Sequence, residues 1–233
     1  MKLSIIVCVF NEVSTIKKVY DEILNVNLIN NIEKEIIIID NNSTDGTKEI
    51  LKKINNSNTQ IIYQKKNMGK GNSIIEGIKI STGYYTVFQD ADLEYSPNDY
   101  NKLLKKIMDN NLDAVFGSRI KGNINYHVYY LNALIALIFT KLINFFYNGN
   151  FTDTATGHKL IKSNILKKLN LESKSFALDF EIAIKLSKLN ISYGEVSIDF
   201  KPRKYNQGKK IRFLDALKSF YVIFYNLIKW LNA

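Results

Sequence analysis

Apolar and polar positions run through the first half of the chain in two alternating rhythms. Residues 3–10 form a short apolar run of strand length, and residues 35–40 hold four consecutive isoleucines, the mark of a strand covered on both faces. Between them Val13, Ile16, Val19, Tyr20, Ile23 and Leu24 recur at helical spacing, which predicts a helix over 13–25. The alternation continues. Ser43-Thr44-Asp45-Gly46 supplies capping chemistry for a helix running to about residue 54, and strands are predicted at 60–64, 84–89 and 113–117. Helices at 70–81 and 97–110 fill the gaps. Such alternation predicts an α/β fold with a Rossmann-like, mostly parallel sheet flanked by helices and ligands at the carboxyl ends of the strands. The chemically interesting residues fall at those ends: Asn11-Glu12, Asp40-Asn41, residues 90–94 and Ser118-Arg119.

The second half reads differently. Residues 128–147 are mostly apolar but broken by Asn132, Lys141 and Asn144. Residues 213–231 carry Phe220, Tyr221, Ile223, Phe224, Leu227, Trp230 and Leu231, interrupted by Lys218, Asn226 and Lys229. Both predict amphipathic helices that close the domain or lie at a membrane interface rather than span it. With no repeat or low-complexity linker, residues 1–233 read as one domain.

Composition narrows the partners. A net charge of +10, almost all of it lysine with arginine only at 119, 203 and 212, asks for an anionic partner. The charge is not gathered on an aromatic-studded strand or recognition helix, so nucleic acid is not expected, whereas a phosphate-rich substrate and an anionic membrane surface both fit. The lone Cys8 excludes an internal disulfide, and the N-terminus lacks a signal peptide's long apolar region, so a cytoplasmic location is expected.

Asp90-Ala91-Asp92 follows a strand, where two carboxylates two residues apart can share one hard divalent cation, and Glu94 adds a third at the next alternate position. Alone such a pair reads as an acidic turn; its place at a strand end, beside the other strand-end polar groups, favours a Mg2+ or Mn2+ site that clamps a diphosphate. Asp40 and Asn41 suit a base or ribose. His158 and His127 read first as structural residues.

The segments SIIVCVFNE (4–12), IIIIDNNSTDGT (36–47), NMGKGNSIIEG (67–77), FQDADLEYSP (88–97) and FGSR (116–119) occur in the order and spacing of family-2 glycosyltransferases of the GT-A fold. TDTATGHKLI (152–161), FALDFEIAIKL (176–186) and RKYNQGKKIRFLDALK (203–218) resemble more narrowly the dolichyl- and polyprenyl-phosphate sugar transferase branch. The resemblance implies a nucleotide-sugar-binding half over 1–120, an acceptor half over 121–211 and a C-terminal interfacial helix over 212–233. It implies that Phe10, Glu12, Asp40, Asn41, Lys70 and Ala91 frame the nucleotide, and that Asp90, Asp92 and Glu94 hold the metal and donor diphosphate. Arg119, Arg203, Lys209 and Lys210 would grip phosphate, and Asp153 and Glu181 would line the sugar or acceptor pocket. The chain departs from the family at Cys8, where proline is frequent, at Asn41, where a second aspartate is frequent, and at Ala155, Gly157 and His158 of the acceptor loop.

The expected activity is inverting transfer of a hexose from a nucleotide-sugar donor, of GDP-mannose or UDP-glucose type, to a polyprenyl or dolichyl phosphate. It would run on the cytoplasmic face of a membrane held peripherally. Two other readings stand beside it: transfer to a saccharide hydroxyl, with Asp153 as base, and a non-catalytic, membrane-associated nucleotide-binding scaffold.

Overall fold

The computed structural model describes residues 1–121, 130–203 and 213–231. Seven strands, β1 (Lys2–Val9), β2 (Glu33–Asp40), β3 (Thr59–Tyr63), β4 (Tyr85–Asp90), β5 (Ala114–Ser118), β6 (Lys159–Lys162) and β7 (Tyr193–Ser197), form one sheet in the order β3-β2-β1-β4-β6-β5-β7. Only β6 runs antiparallel to its neighbours. The helices are α1 (Ile16–Asn25), α2 (Thr47–Leu51), α3 (Lys70–Ile80), α4 (Tyr100–Asp109), α5 (Tyr130–Tyr147), α6 (Ser163–Lys168), α7 (Leu178–Lys188) and α8 (Phe213–Leu231).

The isoleucine run of β2 explains itself once the sheet is two-sided. Ile36 and Ile38 pack with Ile5, Val7 and Val9 of β1 against α1 and α4 on one face. Ile37 and Ile39, with Ile6, face α3, α5 and α7 on the other, as the two-residue period of a strand requires. Gly77 lets α3 approach the sheet, since a Cβ there would stand 2.6 Å from Cγ2 of Ile6. The register sets Asp40 beside Val9 and Asp90 beside Cys8, so the first, second and fourth strands deliver their polar ends to one edge.

Two expected helices differ in their spans. The helix expected after residues 43–46 begins at Thr47, whose N–H donates to Asp45 (3.0 Å), but ends at Leu51 rather than about residue 54; Ser43 Oγ also accepts across the loop from Asn11 N–H (2.9 Å) and Asp45 from Val13 N–H (3.1 Å). The stretch from Pro97 opens as a 3-10 turn whose Asn98 N–H is capped by Ser96.

α5 and α8 pack on one another and on α7, with Tyr147 donating a hydrogen bond to the Ile223 carbonyl (2.6 Å). Their outer faces expose Leu134, Ile138 and Phe145 on α5 and Leu217, Phe220, Tyr221 and Ile228 on α8. Among the described residues no helix is long and apolar enough to cross a membrane.

Candidate active site

At the carboxyl edge of the sheet the loops are locked by side chains reading neighbouring backbones. Asp40 is fully buried, and its carboxylate accepts from Ser43 N–H (3.2 Å). Asn41 accepts from Met68 N–H (2.7 Å) and donates to Asn67 (3.0 Å). After β4 the chain turns through Leu93 at φ 63°, the left-handed region that a bulky residue rarely enters. That turn lets Asp92 accept Glu94 N–H (3.0 Å).

Each carboxylate of the β4 turn faces a different donor. Asp90 pairs with Lys70 at the start of α3 (2.8 Å). Asp92 meets Nη2 of Arg203 (3.1 Å), whose guanidinium also grips Glu12 with bonds of 2.9 and 3.1 Å. Glu94 accepts the Arg203 backbone N–H (2.7 Å). Burial, with the charges of Asp90 and Glu94 close by, pushes the Asp92 carboxyl up to about 7 in spite of Arg203. The expected metal trio Asp90, Asp92 and Glu94 is therefore not assembled as a cage. Among the described residues no group of three or more His, Cys, Asp or Glu side chains is arranged to hold a metal. The crowding of negative charge at Asp92 nevertheless fits a cation whose remaining ligands come from a bound diphosphate and water.

Arg119, at the end of β5, forms a buried two-pronged pair with Asp153, both bonds 2.7 Å, and its own backbone N–H adds a third at 3.1 Å. Glu195 of β7 fixes the same loop by accepting from the backbones of Thr152 and Asp153. Asp153 thus lies behind Arg119 rather than along the cavity wall. His158 is wholly buried, stacked on Tyr95 and Tyr100 with ring centroids 5.4 and 5.5 Å away, and burial lowers its pKa to about 4. The residue before it, Gly157, brings the backbone so near that a Cβ would stand 2.6 Å from Oδ2 of Asp90.

Most of these groups border one cavity of about 850 Å³, with Asp40, Asp153 and His158 outside its lining. Its lining includes Glu12, Asn41, Lys70, Asp90, Asp92, Glu94, Arg119 and Arg203, with Phe10 and Ala91. From the helices it takes Ala133, Ala136 and Phe139 of α5, Phe180 of α7 and Ala216 of α8, together with the polar Asn132, Asp215 and Ser219. Glu181 lies elsewhere: it accepts from the backbones of Glu172 and Ser173 (2.9 and 2.8 Å) and pairs with Lys185. That loop backs the start of α3, where the Lys174 carbonyl accepts from Asn72 N–H (3.3 Å). Two residues earlier, Asp179 does line the cavity, 3.8 Å from Lys70. Sequence reading passed over it for Glu181, and the signal available was its place in the first turn of the helix after the acceptor loop. Lys209, Lys210 and His127 lie outside the described residues.

Residues 4–169 match the family model described as glycosyl transferase family 2. Similar proteins include a dolichyl-phosphate beta-glucosyltransferase of Dictyostelium discoideum, 29% identical over 85% of this chain and 66% of its own length. Another is a UDP-N-acetylglucosamine–dolichyl-phosphate N-acetylglucosaminyltransferase of Methanococcus voltae, 28% identical over 93% of this chain and 92% of its own. Among solved structures, glucosyl-3-phosphoglycerate synthase from Mycobacterium tuberculosis in complex with UDP shares the fold, with a TM-score of 0.74 at 15% identity, covering 97% of this chain and 80% of that one. Mannosyl-3-phosphoglycerate synthase from Rubrobacter xylanophilus does so with a TM-score of 0.72 at 15% identity, covering 100% and 74%. With its mostly parallel sheet, its polar strand ends gathered on one cavity, and a match over most of its length, the chain belongs to glycosyl transferase family 2.

Proposed function

We propose that this enzyme transfers a hexose with inversion from a nucleotide-sugar, of UDP or GDP type, to a polyprenyl or dolichyl phosphate at a membrane surface. The observation that carries the reading is the cavity itself, which sets Lys70, Arg119 and Arg203 in one lining with apolar side chains of α5, α7 and α8, as an acceptor with an anionic head and a hydrocarbon tail requires. The two dolichyl-phosphate transferases among its relatives support the same acceptor class.

In this reading Phe10, Glu12 and Asn41 frame the nucleotide, with Asp40 holding the loop behind them. Asp90 and Asp92 would hold a Mg2+ or Mn2+ ion, a role supported by the related fold solved with Mn2+ and UDP. When bound, such an ion neutralises the diphosphate that leaves. Glu94 and Glu12 hold Arg203 in place, and Arg203 with Arg119 presents planar, permanently charged forks to phosphate oxygens. An acceptor phosphate is already anionic near neutral pH, so the chain has to orient and desolvate it rather than remove a proton. The locked Arg119–Asp153 pair agrees, because Asp153 is committed to the arginine and is not poised as a base. The exposed apolar faces of α5 and α8 would rest on the cytoplasmic face of the membrane, helped by the net positive charge.

Radiolabelled UDP- and GDP-sugars offered with polyprenyl phosphate or with an oligosaccharide test this directly. Label is expected to move into the organic phase with polyprenyl phosphate alone. Transfer only to the oligosaccharide would replace the acceptor assignment, and no transfer to either would leave a nucleotide-binding scaffold.

A further inference from the structure

Lys159 sits in the middle of the sheet, on β6, with a side chain wholly shielded from solvent. Its ammonium donates to the Thr156 carbonyl and to Oδ1 of Asp179 (2.7 Å), and stands 5.4 Å from the centre of the Phe116 ring. Burial lowers its pKa, and an apolar residue would fill the position without the cost of desolvating a charge. The proposed chemistry makes no use of it. Its partner explains its presence. Asp179 turns its other oxygen toward Lys70 (3.8 Å), and Lys70 is bonded to Asp90 (2.8 Å). Four charges therefore alternate from the sheet interior to the cavity: Lys159 on β6, Asp179 on α7, Lys70 on α3 and Asp90 on β4. Lys70 has two carboxylates within reach and sits nearer Asp90, while Asp179 is answered from below by Lys159.

We propose that Lys159 is a positioning residue: by holding Asp179 it keeps Lys70 on Asp90, and so sets the charge that Asp90 offers to the cavity. The consequence for cation binding rests on the reading of Asp90 given above; the arrangement of the four charges does not. Without Lys159, Asp179 becomes a buried carboxylate whose nearest cation is Lys70. Lys70 moves toward it, and Asp90 is left more negative. Without the Asp179 charge, Lys70 has only Asp90, and Lys159 keeps only its through-space repulsion of Lys70.

The test uses the full chain labelled with 13C at the lysine ε-carbons, the Lys70 resonance being identified by its loss in Lys70→Arg. Lys159→Met is expected to shift that resonance and to tighten Mn2+ binding, read from the electron paramagnetic resonance of free Mn2+, by about five- to tenfold. Asp179→Asn is expected to weaken Mn2+ binding by a similar factor. Adding Lys159→Met to Asp179→Asn should then change Mn2+ affinity by less than roughly twofold, since the two act through one contact. Equal shifts from Lys159→Met in both backgrounds, or in neither, would overturn the proposal. If Lys159→Met does not fold, Lys159→Gln, which keeps a polar group and removes the charge, takes its place: an unmoved Lys70 resonance overturns the proposal and a moved one supports it. A Lys70 resonance that responds as expected in a protein that takes up no Mn2+ would support the positioning and refute the cation reading of Asp90.

Discussion

Replacing Asp92 with asparagine should make the ligand-free protein more stable while abolishing transfer. The Asp92 carboxyl is raised from an ordinary 3.8 to about 7, with burial as the largest cause and the charges of Asp90 and Glu94 next. A carboxyl raised in this way favours the folded state only while it is protonated; that contribution is complete below 3.8 and is lost as the pH rises through about 7. Keeping it ionised at pH 8 thus costs about 4 kcal/mol relative to the unfolded chain, at roughly 1.4 kcal/mol per unit. Asparagine removes that cost and keeps the acceptor for Glu94 N–H, but forfeits the bond from Arg203, a loss of about 1–3 kcal/mol. The net gain is about 1–3 kcal/mol, or a rise in Tm of roughly 3–10 °C for a chain of this size. Thermal melts of both proteins at pH 4 and pH 8 provide the assay. The variant's advantage should be present at pH 8 and reverse near pH 4, where the ionisation cost is gone and the lost Arg203 bond remains. A variant that melts at or below the wild type at pH 8, or a gap equal at both pH values, would show that Asp92 carries no burial penalty.

Three further outcomes follow from the same geometry. Arg119→Met should cost about 3–5 kcal/mol, lowering Tm by roughly 6–20 °C, because it strands the buried Asp153 carboxylate; calorimetry of Arg119→Met with and without Asp153→Asn should show the double variant losing less than the two singles together. Gly157→Ala should slow transfer at least about tenfold by forcing a methyl group against Asp90, with a stability loss of only about 1–3 kcal/mol, so an unchanged initial rate would contradict the close approach. Leu217→Glu with Phe220→Glu should sharply reduce sedimentation with anionic lipid vesicles, while Tm reflects a change within roughly 1 kcal/mol, both positions being half exposed; undiminished sedimentation would move the lipid contact away from α8.

The elements up to β5 were legible because their signals are local. Four consecutive β-branched isoleucines in a run of strand length fit a doubly covered strand, and the spacing of Ile16, Val19, Tyr20 and Ile23 is the buried stripe of α1. The polar clusters at strand ends then had to converge, since parallel strands deliver their carboxyl ends to one edge. What stayed hidden depends on distant partners. β6 is four residues long, begins and ends in lysine, and slips antiparallel between β4 and β5; nothing within it announces a buried strand, and Lys159 reads as a surface residue until Asp179 is placed against it. Asp179 and Glu181 lie in the same first helical turn, but two residues apart on a helix is more than half a revolution. One therefore borders the cavity while the other clamps a loop behind it. Asp153 looked like an available carboxylate because its partner, Arg119, is 34 positions away in the chain. The β4 carboxylates were located correctly along the chain, yet their separate pairing with Lys70 and Arg203 depends on α3 and on the segment after β7.

Nucleoside diphosphate release reports whether Asp90 and Asp92 serve a donor diphosphate whose sugar passes to a lipid phosphate. Wild type and Asp92→Ala would be compared across UDP- and GDP-sugars, with and without polyprenyl phosphate, in Mn2+ or in EDTA. Release is expected from the wild type with one donor class, only when Mn2+ and polyprenyl phosphate are both present, and from Asp92→Ala not at all. Full release in EDTA from the variant, or release indifferent to the lipid phosphate, would contradict that assignment.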